Sequence, residues 1–209
     1  MSSTDRHRWD AKYAEKPIPE RLIPDDWLRE QIVDLPPGRA LEPACGLGHN
    51  SIWLAQHGWQ VDAVDISSVG LAQAEKLAEA SGAQVNWIAA DLDIFEPEPA
   101  VYDLILVFRF LERRRLPGLL QRSLRPGGRL LYETFTTAHL DRPDSQMTNP
   151  AFALTSNELP RLFPGLDVIC YAECTLVGRN VARMVGKKSL FDSTAGSLRP
   201  PEASAATSS

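Results

Sequence analysis

Arg39-Ala-Leu-Glu-Pro-Ala-Cys-Gly-Leu-Gly-His-Asn-Ser51, followed shortly by Val61-Asp-Ala-Val-Asp-Ile66, decides how this chain folds. A short apolar strand ends at Glu42. Gly46 and Gly48 come next, where a backbone without side chains can pass close to a ligand, and a helix opens near Asn50 with its free amides turned back into the bend. The second strand closes on Asp65, about 20 residues past the first glycine, where α/β nucleoside sites keep an acid for the ribose diol.

Upstream, Pro24 to Leu35 carries acids in its first turn and apolar Trp27, Leu28, Ile32 and Leu35 at helical spacing, and Pro36-Pro37-Gly38 stops it. Downstream, Ile52, Trp53 and Ala55 supply the buried face of the short helix that Gly58 ends. Ser67 or Ser68 caps the next helix, whose stripe is Leu71, Ala74, Leu77 and Ala78. Val85 to Asp91 and Tyr102 to Phe110 read as strands, the second apolar enough to be central. A helix through Leu116, Leu119, Leu120 and Leu124 leads to the turn Arg125-Pro-Gly-Gly128 and the strand Arg129 to Phe135.

Strands and helices alternate, which predicts an α/β, Rossmann-like, doubly wound and mostly parallel seven-stranded sheet. Its last two strands, Asp167 to Glu173 and Asn180 to Lys188, form an antiparallel edge hairpin. Residues 1–20 are an N-terminal segment suited to a lid, 21–188 the main domain, and 189–209, made largely of Ser, Thr, Ala and Pro, a disordered tail. The polar loop from Thr136 to Thr155 is long enough to expect it at a binding pocket.

With 209 residues, 44% of them hydrophobic and 23% charged, the chain has the make-up of one globular domain. A net charge of -5 gives no electrostatic reason for a nucleic-acid partner. No apolar run approaches the roughly 20 residues of a membrane span, and the N-terminus lacks the apolar core of a signal peptide, so the expected location is the cytoplasm. The 3 cysteines lack histidines at ligand spacing and read as reduced thiols, with no metal site.

In strand order and motifs, from Trp9 to Lys188, the chain resembles the class I S-adenosylmethionine-dependent methyltransferases and, among them, the tellurite-resistance methyltransferase group. The likeness is carried by Gly46-Leu-Gly-His-Asn-Ser51, Trp9-Asp-Ala-Lys-Tyr13, Leu116-Pro-Gly-Leu119 and Arg125-Pro-Gly-Gly128. The resemblance implies S-adenosylmethionine as cofactor and S-adenosylhomocysteine as product. It implies Glu42, Ala44, Gly46 and Gly48 around the methionine part, Asp65 and Ile66 at the ribose, Asp91 and Leu92 at the adenine, and Phe108 facing the sulfonium. Ala44 stands for a glycine and Glu42 for the more usual Asp. The segment between Glu173 and Asn180 is shorter than in the tellurite enzymes and lacks their histidine, a difference that bears on tellurite itself as acceptor.

On this reading Arg109 sits where the methyl group emerges, and Tyr132 and Glu133 share its rim, one to touch substrate and the other to pack or to pair with Arg109. These three are the candidate catalytic residues. Trp9 and Tyr13 either close over the cofactor or anchor the N-terminal segment to the core. Arg113-Arg-Arg115 reads as a solvated loop, and Cys45 and His49 as packing or helix-start residues. The acceptor is expected to be a small molecule, and the scarcity of general bases favours a soft nucleophile such as a thiol, selenium or tellurium species. Two other readings stand beside this one: a non-catalytic nucleoside sensor on the same fold, and a nicotinamide oxidoreductase, which needs a third glycine where Ser51 stands.

Overall fold

The computed structural model describes residues 3–15, 17–19 and 23–190. Most of the expected tail, from residue 191 on, and parts of the N-terminal segment lie outside the described residues.

Apolar side chains alternating along β4 (Tyr102–Phe108) serve two cores at once. Leu104, Leu106 and Phe108 join one, and Ile105 and Val107 the other, across the sheet. Buried on both faces, β4 is central, with β1 (Arg39–Pro43) on one side and β5 (Leu124–Phe135) on the other, both parallel to it. β2 (Gln60–Asp65) and β3 (Asn86–Ala89) extend the parallel part beyond β1. β6 (Leu166–Leu176) and β7 (Arg179–Lys188) form the hairpin, and β7 lies antiparallel to both β6 and β5. The 7-stranded order β3-β2-β1-β4-β5-β7-β6 is the mostly parallel, doubly wound sheet with an antiparallel edge hairpin that the alternation predicts.

Helices cover both faces. α2 (Asp26–Gln31), α3 (His49–Gln56) and α4 (Ser68–Ala80) place Trp27, Leu28, Leu54 and Leu71 in one core, while α5 (Leu116–Ser123) and α6 (Glu158–Leu162) place Leu116, Leu120 and Leu159 in the other. The expected N-terminal segment contains α1 (Ser3–Glu15), tied to the start of α4. Asp10 Oδ1 accepts from the Ser67 hydroxyl at 2.6 Å and from the Val69 amide at 3.3 Å, and Gln73 donates to the Tyr13 carbonyl at 2.9 Å.

Four local readings are corrected. α2 is a short helix, started by Asp25, whose carboxylate accepts from the Trp27 amide at 3.1 Å, and it stops before Leu35. In α3 the fully buried apolar positions are Ile52 and Leu54, while Ala55 and Trp53, whose ring is tilted against His57 with centroids 4.1 Å apart, pack half-buried on the core. Arg125 to Gly128 lies within β5 as an irregularity, across which the pairing jumps from Tyr102↔Leu124 to Leu104↔Arg129. Arg113 is half-buried and tied down rather than a free solvated side chain. It donates to the carbonyls of Ala151 and Ala153 and to Glu158, whose carboxyl it pulls down to about 2. The loop from Thr136 to Thr155 is thereby pinned, with Ala153 and Leu154 buried and two 3-10 turns at Thr137–His139 and Pro150–Phe152. Among the described residues, no helix is long and apolar enough to cross a membrane.

Candidate functional site

Parallel sheets bind ligands beyond their carboxyl ends, at the point where crossovers leave in opposite directions. Here that point lies between β1 and β4, and a cavity of about 770 Å³ opens there, within the size range of ligand pockets. The ends of β1, β2 and β4 form its floor, Trp9 and Tyr13 of α1 and the Asp25 cap of α2 one side, and Leu176 to Arg179 of the hairpin turn another.

The β1 side is shaped by backbone. Ala44, Gly46 and Gly48 all take left-handed conformations, with φ of 56°, 58° and 69°. A Cβ on Gly46 would stand 2.7 Å from the Tyr13 hydroxyl, and one on Gly48 would enter the Trp87 ring. Gly46 lies on the cavity wall; Gly48, packed under Trp87, does not, so its part is to turn the chain into α3. Asp65 is buried on the wall, where its carboxylate oxygens accept from the Gly46 and Ser67 amides, each at 2.9 Å. Burial raises its pKa despite these bonds. Burial also raises that of Tyr13, with the nearby Asp65 charge adding to it, so the hydroxyl stays protonated.

Glu42 is buried at the tip of β1 and accepts from the Asn50 side chain at 2.9 Å and from the Ser51 hydroxyl. Burial pushes its pKa up to about 7, against those hydrogen bonds. Asn50 in turn accepts from the Asp25 amide at 2.9 Å. Cys45 and His49, read as packing residues, both line the cavity. Burial raises the thiol's pKa and lowers the imidazole's, which leaves both neutral near pH 7. Ile66, Leu92 and Phe108 complete this wall. Asp91 is not part of it: its side chain accepts from the Asp93 amide at 2.9 Å in the turn after β3.

The other half is built from side chains. Arg109 follows β4 with φ 57° and donates its amide to the Glu133 carbonyl at 2.8 Å. Its guanidinium donates to Asp25 Oδ2 at 3.0 Å, so Glu133, one of the two residues considered as its neighbour, is not the acid it pairs with. Glu133 is fully buried off the wall, clamped by Arg183, with Nε donating to Oε2 at 2.8 Å. Tyr132 is in the core: its ring packs on Phe163 and its hydroxyl donates to the Phe110 carbonyl at 3.0 Å. Of the three catalytic candidates, only Arg109 faces the cavity. The loop from Thr136 to Thr155, expected at the pocket, lies against the start of β7 instead and contributes nothing to the wall.

Asp25, Arg179 and Arg183 were missed as site residues. Asp25 Oδ2 also accepts from Arg179 at 3.4 Å, and the Arg183 guanidinium lies 5.1 Å from the centre of the Trp27 ring. Two arginines four residues apart on one strand share a face, and that was the available signal. Asp25 carried none beyond a helix-cap pattern. Among the described residues, no group of three or more His, Cys, Asp or Glu side chains could hold a metal.

A profile of the family described as "Methyltransferase domain" matches residues 40–128. The thiopurine S-methyltransferase of Bordetella petrii is 30% identical over 167 residues, covering 70% of this chain and 72% of that enzyme. The ribosomal RNA small subunit methyltransferase C of Alcanivorax borkumensis is 31% identical over 126 residues, covering 56% of this chain; the chain spans only 37% of that relative's length. The crystal structure of TehB from Haemophilus influenzae superposes with a TM-score of 0.64 at 20% identity, covering 87% of this chain and 67% of that one, a likeness of fold.

Proposed function

The chain belongs to the class I S-adenosylmethionine-dependent methyltransferases, and from that premise we propose that it transfers the cofactor's methyl group to a small-molecule acceptor bound on the Arg109 side of the cavity. One observation carries this reading: a buried carboxylate, Asp65, faces the cavity beside a left-handed glycine bend whose amide fixes it. Such an acid suits a ribose diol, and the bend suits a ligand that approaches backbone closely. At Gly46 a Cβ would meet the Tyr13 hydroxyl, so the glycine lets α1 close against the bend at the cavity wall.

In this reading Ala44, Gly46 and the Glu42–Asn50 pair surround the methionine part. Asp65 and Ile66 hold the ribose, Leu92 packs on the adenine with Asp91 at the turn beyond, and Phe108 faces the sulfonium. Trp9 and Tyr13, whose rings stack with centroids 5.9 Å apart, make α1 a lid that keeps water out. When bound, the cofactor supplies a methyl group already activated on a sulfonium, so the acceptor's electron pair forms the new bond as the carbon–sulfur bond breaks. The protein's share is to align the acceptor and exclude water.

The acceptor is a soft nucleophile, of the thiol, selenium or tellurium kind. Glu133 and Tyr132 are withdrawn from the cavity, the Glu42 carboxylate is taken up by Asn50 and Ser51, and burial weakens His49 as a base, so an amine or alcohol finds little help in losing its proton. The Bordetella relative's name, an S-methyltransferase, agrees with sulfur. The test is a labelled-methyl assay of the purified protein against thiols, selenite, tellurite and small amines. Label is expected on a thiol or selenium species; transfer to amines alone would refute the soft-nucleophile reading.

A further inference from the structure

On the acceptor half of the cavity the guanidiniums carry more N–H donors than the carboxylates paired with them receive. Arg109, Arg179 and Arg183 meet there, and the acids that answer them are Asp25 and Glu133. Arg183 holds Glu133 Oε2 through Nε and Nη2, and its guanidinium lies beside Trp27. Arg109 and Arg179 are different. They share a single oxygen, Asp25 Oδ2, at 3.0 and 3.4 Å, while the other oxygen of that carboxylate caps α2. A guanidinium has five N–H donors. Arg179 Nε faces Glu133 Oε1 at 3.2 Å without hydrogen-bond alignment, and neither buried atom has another hydrogen-bond partner. The Arg109 side chain is 50% exposed at the cavity mouth.

Around these cations much of the rim, apart from Asp26, is apolar and open. Ile23 is 66% and Val177 99% exposed, with Phe110 and Leu176 beside them on the wall. Exposed apolar side chains gathered at a pocket mouth are what an apolar ligand covers. The bare inorganic oxyanion would use the arginines and leave this rim in water; a neutral apolar molecule would do the reverse.

We infer that the acceptor is a small organic anion, with an apolar body lying on the Ile23, Phe110, Leu176 and Val177 rim and a carboxylate-like group received by Arg109 and Arg179. The inference rests on the cofactor placement proposed above, since it assigns the arginine side of the cavity to the acceptor.

Calorimetry separates the two readings. S-adenosylhomocysteine is titrated first; absence of binding overturns the cofactor placement. Protein with and without it is then titrated with 4-mercaptobenzoate, 4-mercaptobenzamide and selenite. Charge-assisted hydrogen bonds to two guanidiniums predict that the benzoate binds at least about tenfold more tightly than the amide, and the apolar rim that it also exceeds selenite. Arg109→Gln and Arg179→Gln should each narrow the benzoate-to-amide ratio to within about threefold of unity. An amide matching the benzoate, selenite equalling or exceeding it, or no binding by any of the three overturns the inference on wild-type protein alone, whether or not the variants fold.

Discussion

The two halves of the cavity are made from different materials. On the β1 and β2 side, a backbone bend and a carboxylate held by main-chain amides do the shaping, between partners 19 residues apart. On the β4 and β7 side, a web of ion pairs joins Arg109 to Asp25 across 84 residues and Arg179 to the same acid across 154. The first kind of wall is set by local conformation, which suits the one constant ligand proposed for it. The second depends on side chains brought together only by the finished sheet, so it can change with the acceptor while the fold stays.

Removing Glu133 strikes the second wall hardest. It is fully buried and answers Arg183 and Arg179, so Glu133→Ala leaves their charge without its carboxylate. Breaking a buried pair by deleting one partner costs about 3–5 kcal/mol, which urea unfolding should show. S-adenosylhomocysteine affinity of the protein that remains folded should be unchanged. A variant as stable as wild type would mean that the web carries no structural load, and the contrast between the halves would fail.

Glu42 tests the first wall by pH. Its folded pKa of about 7, raised from an ordinary 4.5 chiefly by burial, means that folding takes up a proton between those values. Wild-type stability therefore falls as pH rises through that window and levels off above it. Glu42→Gln is always neutral there and keeps an oxygen for Asn50. Its thermal midpoint should exceed wild type at pH 8, by a free energy of at most about 3 kcal/mol, and converge with it near pH 5. A gap that does not change with pH would show that Glu42 is not titrating in its buried site.

This division also explains what could be read before folding. The glycine bend, Asp65 and the alternation that orders the sheet are local patterns, and each appears in the structure where the periodicity puts it. Tyr132 and Glu133 were misplaced because both end a strand at the right rim, and strand position alone does not tell a wall residue from one turned into the core or into an ion pair. The contact of Asp25 with Arg179 was illegible for a related reason: the spacing of Arg179 and Arg183 shows that they share a strand face, but no spacing along the chain announces a contact between a helix cap and the hairpin. The loop from Thr136 to Thr155 was drawn to the pocket by its length and polarity, whereas Arg113, read as solvated, ties it elsewhere.

Asp65 and Asp91 sharpen the comparison within the first wall. Asp65 lines the cavity and Asp91 does not. Loss of a buried charged hydrogen-bond partner should cost about 1–3 kcal/mol, so Asp65→Ala should weaken S-adenosylhomocysteine about tenfold to a hundredfold by calorimetry. Asp91→Ala should weaken it less. Equal affinity of Asp65→Ala and wild type would remove the proposed ribose contact, and a larger loss at Asp91 would reverse the assignment.

The smallest effect is expected at Ala44, where the family pattern has glycine. A left-handed conformation costs a residue with a Cβ about 1–2 kcal/mol, which Ala44→Gly relieves. Against this, glycine adds freedom to the unfolded chain worth about 0.4–1 kcal/mol, and the lost methyl, which packs on the core, is worth about 0.8 kcal/mol. The terms nearly cancel. Ala44→Gly should lie within about 0.5 kcal/mol of wild type in urea, with cofactor affinity unchanged. The same φ at Arg109 has no such balance, because glycine there would relieve the strain and remove the guanidinium together. A bend that tolerates exchange at Ala44, beside a turn that does not at Arg109, is the behaviour expected of one wall made of backbone and another made of side chains.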